Sequence, residues 1–229
     1  MFKNLVNPDS PIMSFLGHLA DVMLLNILWL LTSLPIVTIG ASTTALYYCT
    51  LAFAEDRSPR LIETYFRQFR SNLKQGTITG IILLLAGSVL AVDGYVLYHL
   101  KNQAAVWVLL YAVWILMMIV FCMIVIYIFP LMARFENTIP MMIKNSLVLA
   151  VRFLICTILV AAIHAAMIWI AVSIFTPILL FGEGLCALLS SYLLKNIIHF
   201  CEKPEDFRNL KDLKKEADHK KKKKKAHED

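Results

Sequence analysis

Few side chains in this sequence are suited to chemistry, and most of them stand in or beside apolar stretches. His164 lies about twelve residues into an uncharged run at 153–182, Asp93 closes another at 75–92, and Glu183 sits in "FGEGL". A charge at the centre of a bilayer costs roughly 2.5 to 3.5 kcal/mol on insertion scales, so each such group needs a partner, water or a short reach to the interface. His164 and Asp93 are therefore the candidates for lining a polar path. The competing reading gives His164 a hydrogen bond between helices, Asp93 a short reach to the outer interface, and Glu183 a place at an outer turn. His18 and Asp21, three residues apart, share a helix face and read as a structural polar pair.

Catalytic signatures are missing. There is no HExxH, no GxSxG, no GxxxxGK[ST], and no pair of carboxylates on a common loop. The sequence thus predicts no enzyme activity, no catalytic residue, and no metal or other cofactor. The five cysteines, at 49, 122, 156, 186 and 201, form no CxxC pair and no ligand-like spacing, and they read as small buried hydrophobes.

What must position these groups follows from composition. With 59% hydrophobic residues, a mean hydropathy of +0.69 and 17% charged residues, the chain is too apolar for a soluble domain of its size. It reads as an all-α, polytopic transmembrane helical bundle with five or six spans. Uncharged runs at 22–54, 75–92, 102–133 and 153–182 are each long enough to cross, and a shorter one covers 184–194. The amino terminus, interrupted by Pro8, Asp9 and Pro11, does not resemble a cleavable signal peptide.

The first run poses a geometric problem. As one helix rising about 1.5 Å per residue it would far exceed the roughly 30 Å hydrocarbon core. It contains "TSLPIVTIGAS" at 32–42, where Pro35 disfavours helix in the preceding residue and Gly40 allows a tight backbone. The favoured expectation is a turn there, near the outer face. Six spans then fall near 15–34, 36–54, 76–98, 104–132, 151–176 and 181–200. The alternative, one long kinked helix, gives five.

Loop charge sets the sidedness. Residues 55–74 hold Arg57, Arg60, Arg67, Arg70 and Lys74, and 134–152 hold Arg134, Lys144 and Arg152, whereas the connector "HLKNQ" holds only Lys101. The positive-inside rule makes the first two segments and the carboxyl-terminal tail cytoplasmic. Six spans place the amino terminus in the cytoplasm and five place it outside. Residues 1–201 form the membrane domain and 202–229 a charged, disordered cytoplasmic tail, with six consecutive lysines at 220–225. Lipid or an acidic protein surface suits this tail better than nucleic acid, because no aromatic interleaving or fold motif accompanies the charge.

The clearest pattern is "SPRLIETYFRQFRSNLKQG". Leu61, Ile62, Tyr65, Phe66, Phe69 and Leu73 recur at helical spacing, with Arg60, Glu63, Arg67, Arg70 and Lys74 largely opposite. Two readings stand: an interfacial helix on the inner leaflet, or a docking helix for a protein partner. A weaker elbow follows in "RFENTIPMMIKNSLVLAVRF", where Asn137 or Thr138 can cap a helix with Pro140 in its first turn.

The segments "NILWLLTSLPIVTIGASTTALYY", "FRSNLKQG", "FPLMARFE" and "IKNSLVLA", in this order and spacing, resemble the YesL-like family of bacterial integral membrane proteins over roughly residues 1–200. The resemblance implies a multi-pass protein of the bacterial cytoplasmic membrane. It further implies an accessory or regulatory role in oligosaccharide import beside the subunits of a carbohydrate ABC importer, and it carries over no catalytic residue. Pro35, Gly40, Arg134, Phe135 and Glu136 are the positions in the matching motifs that bear on assembly. Arg60, Arg67, Arg70 and Lys74 join the last three as contact candidates for partner or lipid. The other reading is an independent small-solute transporter or channel. Self-association is left open, and nucleic acid is not an expected partner.

Overall fold

The structure is a computed structural model and describes residues 11–57, 60–100, 104–173 and 178–202. Of the tail expected at 202–229, Glu202 is the last residue of a helix and 203–229 lie outside the described residues, as does the side chain of His18. Within them the chain is all-helical: α1 Pro11–Ser33, a 3-10 turn at Ile36–Thr38, α2 Ile39–Ala54, α3 Leu61–Leu100, α4 Ala105–Arg134, α5 Ile139–Arg152, α6 Leu154–Ser173 and α7 Ile178–Glu202. Five stretches are long and apolar enough to cross a membrane: Ile36–Ala54, Leu61–Leu100, Val106–Arg134, Leu154–Ser173 and Gly182–Glu202, while Ala20–Ser33 is a shorter apolar helix.

The chain does break at Pro35. Its backbone is extended (φ −74°, ψ 111°), and Thr38 closes the turn. The Thr38 hydroxyl lies 2.6 Å from the Thr32 carbonyl and 2.7 Å from that of Pro35, so it serves carbonyls that an uninterrupted helix would have used. Trp29 donates its indole N–H to the Thr43 hydroxyl at 3.1 Å, tying α1 to α2 on either side of the turn.

The expectation for the turn's location is not met. Tyr65, from the basic segment, reaches the Thr32 hydroxyl at 2.7 Å and approaches the Ser42 carbonyl at 3.4 Å. The Pro35 turn and the basic segment therefore share one end of the bundle, instead of lying at opposite ends.

Helix α2 explains this. Helices α3 and α4 run antiparallel, with Trp114 donating to the Leu90 carbonyl at 2.8 Å and Gln75 to that of Asn137 at 2.5 Å. That register sets Gly76 beside the last turn of α4. The start of α2 meets Gly76 and Gly80. Its other end arrives at the same level, because Glu55 pairs with Arg134 at the end of α4 and the Ala54 carbonyl accepts from Lys195 of α7 at 2.9 Å. A 16-residue helix is about 24 Å long. With both ends at one level, it lies across the bundle, buried by α1, α3, α4 and α7.

The other long helices run along the bundle axis. Helix α6 pairs antiparallel with α7 through Cys156 and the Leu193 carbonyl at one level and Met167 beside Gly182 at another. Helix α4 joins α6 through Tyr127 and Thr157 at 3.0 Å. Helix α1 descends beside α7 from Asn26, whose side-chain oxygen accepts from the Gly184 amide at 2.7 Å, to the Pro35 turn.

Two boundaries differ from expectation. The amphipathic segment and the following span are one 40-residue helix, because 61–100 contains no proline and Gly76 is held inside the helix by its contact with α2. The second elbow is a separate helix, α5, which opens after an extended Thr138 with Pro140 in its first turn and ends one residue before α6. Thr157 stabilises that break by donating to the Ala150 and Phe153 carbonyls at 2.9 and 3.1 Å.

The α2–α3 crossing is a backbone contact. A Cβ on Gly40 would overlap the Gly76 carbonyl oxygen, and one on Gly76 would lie 2.7 Å from the Ala41 Cα. A Cβ on Gly17, in α1, would meet nothing within 4 Å. Gly40→Ala is therefore expected to lower the melting temperature of the purified protein, with a loss on the order of 2 kcal/mol from overpacking. Gly17→Ala should leave it unchanged or raise it slightly through helix propensity. Equal effects at the two positions would contradict the crossing.

Candidate functional site

Charge gathers where α2, α4 and α7 end together. Arg134, in the last turn of α4, is 14% exposed and bridges two carboxylates: its Nη2 meets Glu55, and its Nε lies 3.1 Å from Glu202 of α7. The Nε approach is an ion pair without hydrogen-bond geometry. Glu55 also pairs with Arg57, whose side chain is 46% exposed. His199 Nδ1 stands 3.8 Å from the other oxygen of Glu202.

Lys195 adds a third permanent cation. Its ammonium donates to the Ala54 carbonyl at the end of α2, where the helix dipole is negative, and lies 5.2 Å from the Tyr192 ring centroid. A cavity of about 330 Å³ opens between Glu55, Arg57, Arg134, Lys195, Asn196 and His199. Arg57, Arg134 and Lys195 outnumber Glu55 and Glu202 by one positive charge, so the junction is an electrostatic clamp with a slight preference for anions.

A second opening, of about 510 Å³, lies nearby and is lined by Gln75, Glu136, Asn137, Thr138 and Ile139. Glu136 is exposed there, whereas Phe135 leaves the helix with extended backbone and packs against the core. Of the three consecutive contact candidates, Arg134 is committed to internal partners, Phe135 to packing, and Glu136 faces outward.

The basic segment of α3 divides differently from the helical pattern. Tyr65 is fully buried, and Leu61 and Phe69 pack against the core. Ile62 and Phe66 stay exposed in the company of Arg60, Glu63, Arg67, Arg70 and Lys74. Arg60 pairs loosely with Glu63 at 3.6 Å, both on the surface.

The intramembrane candidates are not brought together. Asp93 is exposed on α3. His164 is half-buried on α6, with Nδ1 2.9 Å from the Val160 carbonyl of its own helix. The charged neighbour within electrostatic reach of His164 is Glu183 of α7, which also lies near Tyr47 of α2. Glu183 thus belongs to the helix interior and not to an outer turn, because α7 begins at Ile178 and continues through both flanking glycines. Glycines beside a carboxylate read locally as a turn, and nothing in the linear pattern links position 183 to 164 or 47.

Among the cysteines, Cys49 and Cys186 are buried, Cys156 and Cys201 are half-buried, and Cys122 is exposed. All five are free thiols. Among the described residues no three His, Cys, Asp or Glu side chains gather into a group that could hold a metal ion.

The profile of a family described as "Protein of unknown function, DUF624" matches residues 22–94, the stretch that holds the Pro35 turn, α2 and most of α3. No curated protein and no solved structure matches the chain.

The junction makes an energetic prediction. Arg134→Gln leaves Glu202 without a guanidinium and Glu55 with only the half-solvated Arg57, in a partly buried site, and a loss of roughly 2 kcal/mol is expected, below the range for a fully buried pair. Arg57→Gln should cost less than about 1 kcal/mol because its partner keeps Arg134 and its own side chain is solvated. Adding Glu202→Gln to Arg134→Gln should recover part of the loss. Chemical denaturation in mild detergent measures all three, and equal losses for Arg134 and Arg57 would contradict the clamp.

Proposed function

We propose that this chain is a YesL-like, non-enzymatic accessory or regulatory component of carbohydrate ABC import in the bacterial cytoplasmic membrane. The observation that carries the non-conducting part of this reading is α2, which lies across the bundle and occupies the interior that a solute path would need. The carbohydrate context rests on the motif resemblance alone, and the DUF624 match over the same turn and helix supports the YesL-like likeness without bearing on a substrate. Importer subunits are the proposed protein partners. Glu136 and the open notch beside it offer them an accessible polar contact at the end of the bundle where the ion-paired junction stands.

A second reading, an independent small-solute transporter, draws on one observation. Glu183, His164 and Tyr47 place ionisable groups from three helices within electrostatic reach of one another. Intramembrane groups of this kind mark proton or solute paths in other proteins.

Mild solubilisation of the tagged full-length chain from its native membrane, with mass spectrometry of what co-elutes, separates the two. The accessory reading predicts stoichiometric importer permeases that are lost in Glu136→Lys, and normal sugar-dependent growth in His164→Leu. A chain that elutes alone under conditions preserving an importer complex, or loss of uptake in a well-folded His164→Leu protein, contradicts it and favours transport.

A further inference from the structure

A 40-residue helix is twice as long as a bilayer crossing requires, so part of α3 must lie outside the hydrocarbon core. The part that remains outside is set by packing. Residues from Gly80 onward pair with α4, whereas Leu61, Tyr65 and Phe69 pack inward near the transverse α2. The segment before Gly76 is thus held at the end of the bundle where α4 stops and α5 begins.

Its outward face has a particular composition. Ile62 and Phe66, 53% and 40% exposed, stand beside the exposed Arg67, Arg70 and Lys74, with Arg60 at the helix start. Helix α5 repeats the arrangement at the same end: Met141, Val148 and Val151 are about half exposed, and Lys144 and Arg152 are exposed beside them. The Arg152 guanidinium lies 4.5 Å from the Phe200 ring centroid. In water such apolar side chains would be a liability, and in hydrocarbon the arginines would be. Both are satisfied at the boundary between acyl chains and headgroups.

We propose that α5 and the first fifteen residues of α3 form an interfacial layer that binds the phosphates of anionic phospholipids, with Ile62, Phe66, Met141, Val148 and Val151 inserted among the acyl chains. Charge complementarity chooses the lipid. With the flanking Arg60 before α3 and Glu136 before α5 included, the two faces present six basic side chains, Arg60, Arg67, Arg70, Lys74, Lys144 and Arg152, against two acidic ones, Glu63 and Glu136. Zwitterionic headgroups offer no net charge to match, and a soluble protein partner leaves the inserted apolar residues without an acyl environment.

Titration of the detergent-solubilised full-length protein, with melting temperature as the readout, tests this with phosphatidylglycerol, phosphatidylcholine and inorganic phosphate. Phosphatidylglycerol is expected to raise the melting temperature by several degrees, and the other two to have little effect. Arg67→Glu with Arg70→Glu should abolish the specific shift while leaving the lipid-free melting temperature within about a degree, since both side chains are exposed. Each charge removed should weaken anionic-lipid binding roughly fivefold. If the reversal variant does not fold, Arg67→Gln with Arg70→Gln gives the same readout with a smaller change. Equal shifts with both lipids, a shift from phosphate alone, or an unchanged response in the variants would overturn the proposal. So would loss of a co-purifying protein from the variant while phosphatidylglycerol binding persists, because the face would then be a protein dock. The purified chain is tested without importer subunits, so failure here and failure of the accessory role are separate results.

Discussion

Two helices can touch through their backbones only where no side chain intervenes, and Gly40 against Gly76 and Gly80 provides that opening. The rest of the architecture depends on it. Seating the start of α2 against α3 beside the end of α4 forces the 16-residue helix to travel sideways before it reaches Glu55 and Arg134. A side chain at the crossing would push α2 away from α3 and open the interior that α2 now fills.

A helix buried on all sides must also satisfy its polar atoms from within. Helix α2 carries Ser42, Thr43, Thr44 and Thr50, and each has an internal partner: Ser42 bonds the Thr38 carbonyl, Thr43 accepts from Trp29, Thr44 bonds the Gly40 carbonyl, and Thr50 meets Ser191 of α7 at 2.8 Å. The Ser42 and Thr44 bonds stay on the helix's own backbone, whereas those of Thr43 and Thr50 reach α1 and α7 and hold α2 in one orientation, which apolar packing alone specifies poorly. At its carboxyl end, the junction of Glu55, Arg134 and Glu202 ties three chain segments to a single guanidinium. The glycine crossing positions α2 and the ion pairs fix where it ends.

The parts of this fold legible in the sequence are those with local causes. Apolarity gave the all-helical membrane class, proline gave the break after Ser33, and Thr138 with Pro140 gave the start of α5. The transverse path of α2 was not legible, since a helix that is apolar all round reads alike whether it crosses lipid or lies inside protein. Gly76 reads locally as a helix breaker, and only its contact with Ala41 explains an uninterrupted α3. The candidate site was half visible: the basic residues of α3 stand out by number and spacing. The pairing of positions 55, 134 and 202, like the approach of 183 to 164, is a product of tertiary packing that leaves no periodic trace.

The Pro35 turn and the basic start of α3 lie at the same end of the bundle, with α2 across it. Single cysteines at Val37 and Arg60, both exposed positions, placed in a chain whose five native cysteines are replaced, test it directly with a membrane-impermeant thiol reagent on sealed vesicles of known orientation. Both positions are expected to label from the same side. Labelling from opposite sides would mean that α2 crosses the bilayer, and the transverse placement would be wrong.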